Sequence, residues 1–133
     1  MMQNHLADAL ALAGNVRQLF VATADANGIP HLAIAERITL EREDTVGVTA
    51  WFCPRTVENV NENASVSLVV WDEQRDAGFQ LIGEVTQVLD LAMLNGFIPG
   101  ETVTVPQVER KLVVRVDQIL TFSHAHHSDI DLA

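Results

Sequence analysis

The sequence has little cysteine, little positive charge and no long apolar run. Cys53 is the only cysteine among 133 residues, so no disulfide can form within the chain. Eight basic residues stand against 18 acidic ones, which gives a formal net charge of −10. Such a chain repels phosphate backbones and anionic lipid headgroups, so binding to nucleic acid or to a membrane surface is disfavoured. No apolar run approaches the ~20 residues of a membrane-spanning helix.

Length and composition indicate a single globular domain over residues 1–133. Single domains most often contain ~100–150 residues, and 48% of this chain is hydrophobic, which is enough for a core. The sequence has no internal repeat and no low-complexity segment. Predicted strands with two apolar faces give more apolar surface than one small barrel covers, so we expect a homodimer.

Residues 1–14 form the N-terminal helical segment, with apolar residues at helical spacing over residues 4–13 and a stop at Gly14. The segment differs from a secretory signal peptide because Asp8 interrupts its apolar stretch and the first basic residue is Arg17. We therefore expect a cytoplasmic protein.

Alternating apolar residues predict six strands joined by short connections. The strands cover residues 17–24, 31–40, 46–52, 65–72, 78–89 and 109–123. A short helix is predicted over residues 56–63, and a short helix or turn over residues 90–97. This order is typical of a closed antiparallel barrel, with a sandwich as the alternative. Gly83, in the fifth strand, indicates a bulge or a close backbone approach.

The segment from Thr49 to Val60, TAWFCPRTVENV, places a strand end, a proline turn and a helix start in succession. The N–H groups and partial positive charge of a helix start favour an anion. Arg55 adds a forked set of donors and Thr56 adds a hydroxyl, so together they suit a phosphate monoester. Alternatively, Thr56 only caps the helix and Arg55 is a solvated charge.

Four motifs together resemble a known family over roughly residues 15–122. They are a strand that leads into DANGIPH, the helix start RTVENV, the strand SVSL and the strand LIGEVTQV. In this order and at these spacings, the set resembles the FMN-binding split-barrel family, which includes pyridoxamine 5′-phosphate oxidase-like proteins and small bacterial FMN-binding proteins. The resemblance implies a mainly β fold: a six-stranded antiparallel split barrel of Greek-key type with two or three short helices.

The same resemblance implies a homodimer with FMN in a groove between the subunits. Arg55 and Thr56 match the residues that hold the FMN phosphate in relatives. The backbone of the strand end before them would pass along the flavin ring; its residues are Thr49, Ala50, Trp51 and Phe52. Relatives often carry polar residues in the middle of the second strand, whereas this chain has Ala33, Ile34, Ala35 and Glu36 there.

The function that follows is an FMN-dependent oxidoreductase or an electron-transfer protein, acting on a small-molecule substrate or with a redox partner. FMN would carry the redox chemistry, while the protein binds and orients it. No side chain stands out as a catalytic acid or base, and no metal site is assigned. The alternatives are a non-redox ligand-binding or sensor module on the same barrel, and a haem- or metal-binding relative.

Three further features allow two interpretations each. Trp51 and Trp71 could stack on a flavin or belong to the core or a dimer interface. Cys53 is interpreted as a buried, inert thiol at the end of its strand. The segment 124–133 carries three histidines (His124, His126 and His127) with spacing that suits a metal ion, or it is a mobile, solvated tail. On the second interpretation, residues 128–133 are dispensable for folding.

Overall fold

A computed structural model describes residues 2–52, 54–94, 107–125 and 128–132. Within these residues the chain forms two helices and seven strands, and every strand pairing is antiparallel. The helices are α1 (Met2–Val16) and α2 (Pro54–Glu62). The strands are β1 (Leu19–Ala24), β2 (Pro30–Ala35), β3 (Arg37–Arg42), β4 (Thr45–Ala50), β5 (Ser65–Asp72), β6 (Ala77–Leu94) and β7 (Gln107–Thr121).

The strands form a single sheet in the order β2-β1-β5-β6-β7-β4-β3. Its two ends meet because β2 and β3 are consecutive in the chain and separated only by Glu36. The Glu36 N–H donates a hydrogen bond to the Thr49 carbonyl oxygen at 3.1 Å, which joins this corner to β4. The strand predicted over residues 31–40 therefore bends and divides between two neighbours. The mainly β split-barrel prediction is confirmed.

The core lies inside the barrel, where β1, β4, β5 and β7 each contribute alternate apolar residues that are fully buried. The helix α1 covers the barrel against β5 and β3 and buries Leu6, Ala9 and Ala13. It continues past the predicted stop at Gly14 and ends before Arg17, which adopts a left-handed backbone with φ of 54°. No helix in the described parts of the chain is long and apolar enough to cross a membrane.

The helix α2 lies against β1 and β2, where its buried side chains are Thr56, Asn59 and Val60. The amide nitrogen Nδ2 of Asn59 donates to Oγ1 of Thr23 on β1 at 3.0 Å, and both residues are buried. A buried polar pair of this kind fixes the helix in one orientation because either group would be costly to leave unpaired. This bond therefore holds α2 against β1.

The helix or turn predicted over residues 90–97 is wrong for residues 90–94, which continue β6 and pair with β7. Residues 95–97 lie outside the described residues. The pairing of β6 with β7 shifts register at three places. Each shift interrupts the alternation of apolar residues, so the sequence pattern does not show that β6 is one continuous strand. One shift falls at Gly83, where a Cβ atom would collide with the Arg115 carbonyl, so the expected close approach is confirmed.

The described part of the C-terminal segment is docked, so its interpretation as a mobile tail is wrong. Thr121 exchanges backbone hydrogen bonds with Asp129 and Ile130, both at 2.9 Å, and the Leu132 N–H donates to the Ile119 carbonyl at 2.9 Å. Leu132 is half-buried against the core. The segment docks there because the β4–β7 pairing ends at Arg115, which leaves the following edge of β7 free for another chain segment.

Candidate functional site

The end of β4 and the start of α2 form the region where the sequence predicts a ligand. Thr49 and Ala50 lie on β4, Trp51 and Phe52 follow the strand, and α2 begins at Pro54. Proline suits the first turn of a helix because its missing N–H would have no helical partner there. Cys53, between Phe52 and Pro54, lies outside the described residues.

Most of the predicted site residues are buried. The side chains of Thr49, Ala50 and Phe52 are buried, and Thr56 is 0% exposed. The backbone of Thr49 is also occupied, since the residue pairs with β3 on one side and β7 on the other. Only Trp51, at 36% exposure, and Arg55 present side chains to a ligand.

Arg55 is exposed in the first turn of α2. Its side chain forms no hydrogen bond or ion pair with any residue in the described ranges, and the same holds for Arg17, Arg37 and Arg42. The other four basic residues, Arg75, Arg110, Lys111 and Arg115, each pair with a carboxylate. A guanidinium without a carboxylate partner beside a helix start is suited to an external anion.

A cavity of about 320 Å³ lies beside Arg55, and its lining is acidic. Asp25, Glu58 and Glu62 contribute three carboxylates to the wall against the one guanidinium of Arg55. Two of them have local roles: Asp25 accepts the N–H groups of Asn27 and Ile29, and Glu62 accepts the Ala26 N–H. These carboxylates oppose the approach of a dianion to Arg55 through this cavity.

The second strand departs from the polar pattern of relatives, and the structure shows where its side chains lie. Ile34 is 69% exposed and Leu32 is 62% exposed, while Ala35 is buried. Glu36 is exposed and does not line the cavity beside Arg55. Leu32 and Ile34 therefore face away from the barrel core, whereas Ala35 faces into it.

These residues belong to a wider apolar surface on β1, β2 and β5. The register places Ile34 beside Phe20, and Phe20 beside Val69, so three apolar side chains form a row across three strands. Leu32 lies beside Ala22 in the next row of the same face. We call this surface, made of Phe20, Ala22, Leu32, Ile34 and Val69, the apolar face.

An apolar groove of about 540 Å³ continues the apolar face. It is lined by Phe20, Leu32, Val69, Trp71, Phe122, Ser123 and His124. The rings of Trp71 and Phe122 meet edge to face, with centroids 6.3 Å apart and planes at 78°. A groove with three aromatic side chains suits a flat, largely apolar ring system.

Sequence reasoning considered Trp71 but missed the groove. Phe122 and His124 lie 51 and 53 positions after Trp71 and reach the groove only because β7 carries the chain back beside β6. The available signal was the position of Val69 and Trp71 in β5: they alternate with Leu68 and Val70, which are buried, and so face outward.

The predicted histidine cluster is placed only in part. His124 is exposed at the groove, whereas His126 and His127 lie outside the described residues. Among residues 2–52, 54–94, 107–125 and 128–132, no three His, Cys, Asp or Glu side chains lie close enough to hold a metal ion.

Three solved structures share the fold at low sequence identity. HupZ from Group A Streptococcus matches at 17% identity and a TM-score of 0.66, over 93% of this chain and 97% of its own. A pyridoxinephosphate oxidase family protein from Clostridium acetobutylicum matches at 15% identity and a TM-score of 0.66, over 98% of this chain and 96% of its own. An FMN-binding protein from Syntrophomonas wolfei matches at 16% identity and a TM-score of 0.63, over 94% of this chain and 91% of its own. At these identities the likeness establishes the fold alone.

No curated protein sequence matches the chain. The family model of pyridoxamine 5′-phosphate oxidase, by contrast, matches residues 7–120, which is most of the chain. The match includes β1 to β6, α2 and nearly all of β7. It covers the Trp71 wall of the apolar groove and ends before the wall formed by Phe122 to His124. The chain belongs to the pyridoxamine 5′-phosphate oxidase family.

Proposed function

We propose that this chain is an FMN-binding flavoprotein that forms a cytoplasmic homodimer, holds the flavin between its subunits and acts as an oxidoreductase or electron-transfer protein. The observation that carries the proposal is Arg55, which is exposed at the start of α2 and has no ion-pair partner in the described residues. Bound FMN supplies hydride or electron transfer to a small-molecule substrate or redox partner.

Only part of the residue set predicted to bind the FMN phosphate is suited to that role. Arg55 can bind the phosphate because its side chain is exposed at the start of α2, where the helix end also favours an anion. The Thr56 hydroxyl does not fit this role because the residue is fully buried. Trp51 is the neighbouring exposed side chain and is placed to flank the ligand.

The ring end is supported by the apolar groove and the apolar face. Leu32 and Ile34 are exposed on β2 and continue into half-buried apolar residues on β1 and β5, and a contiguous apolar surface of this kind marks an interaction surface. A two-fold contact through this face would bury Leu32 and Ile34 of both copies and enclose the groove. The flavin ring would then lie between an apolar groove and the facing subunit, with water excluded from the ring.

A non-redox ligand-binding or sensor module is the second candidate. The three carboxylates beside Arg55 favour it, because they oppose the approach of a dianion and suit a ligand with less negative charge. The two candidates differ in whether the isolated protein binds a flavin.

The test of the proposal is a titration of wild type and Arg55→Ala with FMN and with riboflavin, followed by flavin fluorescence. A charge-assisted hydrogen bond contributes about 1.5–3 kcal/mol, so loss of Arg55 should weaken FMN binding roughly 10- to 150-fold. Riboflavin lacks the phosphate, so its affinity should change little. Arg42→Ala is the matched control, since Arg42 is an exposed arginine on β3, away from α2.

Two results would contradict the proposal. Equal losses for FMN and riboflavin would place Arg55 away from the phosphate. Absence of binding of either flavin to wild type would eliminate the flavoprotein and leave the ligand-binding module.

A further inference from the structure

One carboxylate, that of Asp76, joins two distant chain segments. Asp76 lies in the turn between β5 and β6 with a left-handed backbone, φ 49°. Its Oδ1 accepts the Trp71 Nε1–H at 3.1 Å and the His124 N–H at 2.7 Å, and its Oδ2 accepts the Ala125 N–H at 2.9 Å. The carboxylate therefore ties the β5–β6 hairpin to a segment 48 residues further along.

The groups that Asp76 holds are the walls of the apolar groove. Trp71 forms one wall, and the segment from Phe122 to His124 forms the other. Asp76 itself is not among the residues that line the groove. Its three hydrogen bonds, together with the Phe122 N–H that donates to the Gly78 carbonyl at 3.0 Å, hold in place the two walls that a ligand would touch.

The carboxylate is suited to this role by its charge. The His124 N–H, followed by the indole of Trp71 and the Ala125 N–H, lowers the pKa of Asp76, so the group stays ionised at neutral pH. Hydrogen bonds to an ionised acceptor are stronger than those between neutral groups. Aspartate is also one of the few residues that tolerate a left-handed backbone.

We propose that Asp76 is a positioning residue of the flavin site: it fixes Trp71 and the Phe122–His124 segment so that the groove is formed before the ring arrives. This inference rests on the proposed function. A groove formed in advance binds more tightly because its walls lose no conformational entropy when the ligand binds. Loss of Asp76 should therefore weaken the binding of the ring and leave the phosphate contact unchanged.

The experiment compares wild type with Asp76→Asn, and with Asp76→Ala in case the amide keeps part of the bonding. FMN and riboflavin are titrated into each protein. Because the walls of the groove would then have to be ordered on binding, we expect roughly 3- to 10-fold weaker binding. The loss should be the same for both ligands, in contrast to Arg55→Ala, which weakens FMN alone.

A second readout reports the groove without any flavin. The chain has two tryptophans, so a Trp51→Phe background leaves Trp71 as the only indole fluorophore. In that background Asp76→Asn should shift the Trp71 emission to longer wavelength and increase its quenching by acrylamide, because the indole loses its partner and gains exposure to water.

Asp72→Asn is the matched control. Asp72 lies in the same hairpin and accepts the N–H groups of Gln74 and Arg75, but its hydrogen bonds stay within the hairpin. It should leave both flavin affinities and the Trp71 emission near their wild-type values. An equal effect of Asp72→Asn and Asp76→Asn would overturn the proposal, because it would indicate general damage to the hairpin.

The remaining outcomes also decide the matter. Wild-type emission and wild-type affinities in Asp76→Asn and Asp76→Ala would overturn the positioning role. Failure of wild type to bind either flavin would overturn the proposed function, and with it the role of Asp76 in binding the ring. In that case the Trp71 emission still decides separately whether Asp76 fixes the groove walls.

Discussion

Arg55 and Thr56 are neighbours in the chain, yet only Arg55 can reach a ligand. Consecutive helical residues point in different directions, and α2 turns Thr56 toward β1 and β2 while Arg55 faces solvent. The sequence could predict a helix start with a cation and a hydroxyl. It could not predict which of the two the barrel would bury, because that depends on the angle at which α2 packs.

The ion pair between Glu41 and Lys111 offers a prediction at the scale of single residues. The Lys111 Nζ lies 2.8 Å from Glu41 Oε1. The paired side chains lie over Gly47, where a Cβ atom would collide with the Glu41 carboxylate. The hydrogen bond from Lys111 lowers the pKa of Glu41 below its ordinary value of 4.5. Because the folded state favours the ionised form, this stabilisation is present above the ordinary pKa and is lost as the pH falls through the lower folded value.

Glu41→Gln should therefore lower the free energy of unfolding by about 0.2–1 kcal/mol near neutral pH. The difference from wild type should shrink as the pH falls through the folded pKa of Glu41. Urea denaturation at a series of pH values measures both effects. Glu43→Gln, an exposed neighbour without an ion pair in the described residues, is the control. A loss that does not depend on pH would show that the ion pair is not its cause.

The C-terminal segment gives the prediction at the scale of elements. Leu132 packs against the core, whereas Ile130 is exposed in the same segment. Leu132→Ala should lower the free energy of unfolding by about 1–2 kcal/mol, which is roughly half the cost of truncating a fully buried leucine. Ile130→Ala should change it by no more than about 0.5 kcal/mol.

Denaturant unfolding of the two variants checks this difference. Equal, negligible effects would mean that the segment is solvated after all and dispensable, as its polarity suggests. Deletion of residues 128–133 should destabilise the protein at least as much as Leu132→Ala, because it also exposes the edge of β7.

Local patterns predicted some elements and failed at others for physical reasons. The strand Ser65–Asp72 has the predicted bounds because it is a run rich in β-branched residues, which favours a strand by itself. The end of β6 was missed because register shifts break the alternation, and the docked tail was missed because its partner, Ile119 to Thr121, is fixed only once β7 has paired. The groove, likewise, depends on two segments that meet only in the folded sheet.

At the scale of the whole molecule, the apolar face predicts association of two chains. Ile34, the most exposed of its large side chains at 69%, lies at the end of the row next to Phe20. Ile34→Asp should shift the mass measured by light scattering from about twice 14.6 kDa toward 14.6 kDa, since a buried, unpaired carboxylate costs several kcal/mol.

Leu40→Asp is the control for this experiment. Leu40 is 56% exposed, but it lies on β3 near α1 rather than on the apolar face. Its variant should keep the mass of the dimer. Dissociation by Leu40→Asp, with Ile34→Asp still dimeric, would place the interface at the other end of the sheet.

A dimer of this chain that holds FMN should carry the flavin through gel filtration. The purified protein is mixed with FMN, absorbance is recorded for protein and flavin together, and mass is recorded by light scattering. We expect flavin absorbance to co-elute with protein at about twice 14.6 kDa, with one flavin per chain. A colourless protein peak, with all flavin eluting as free ligand, would contradict it.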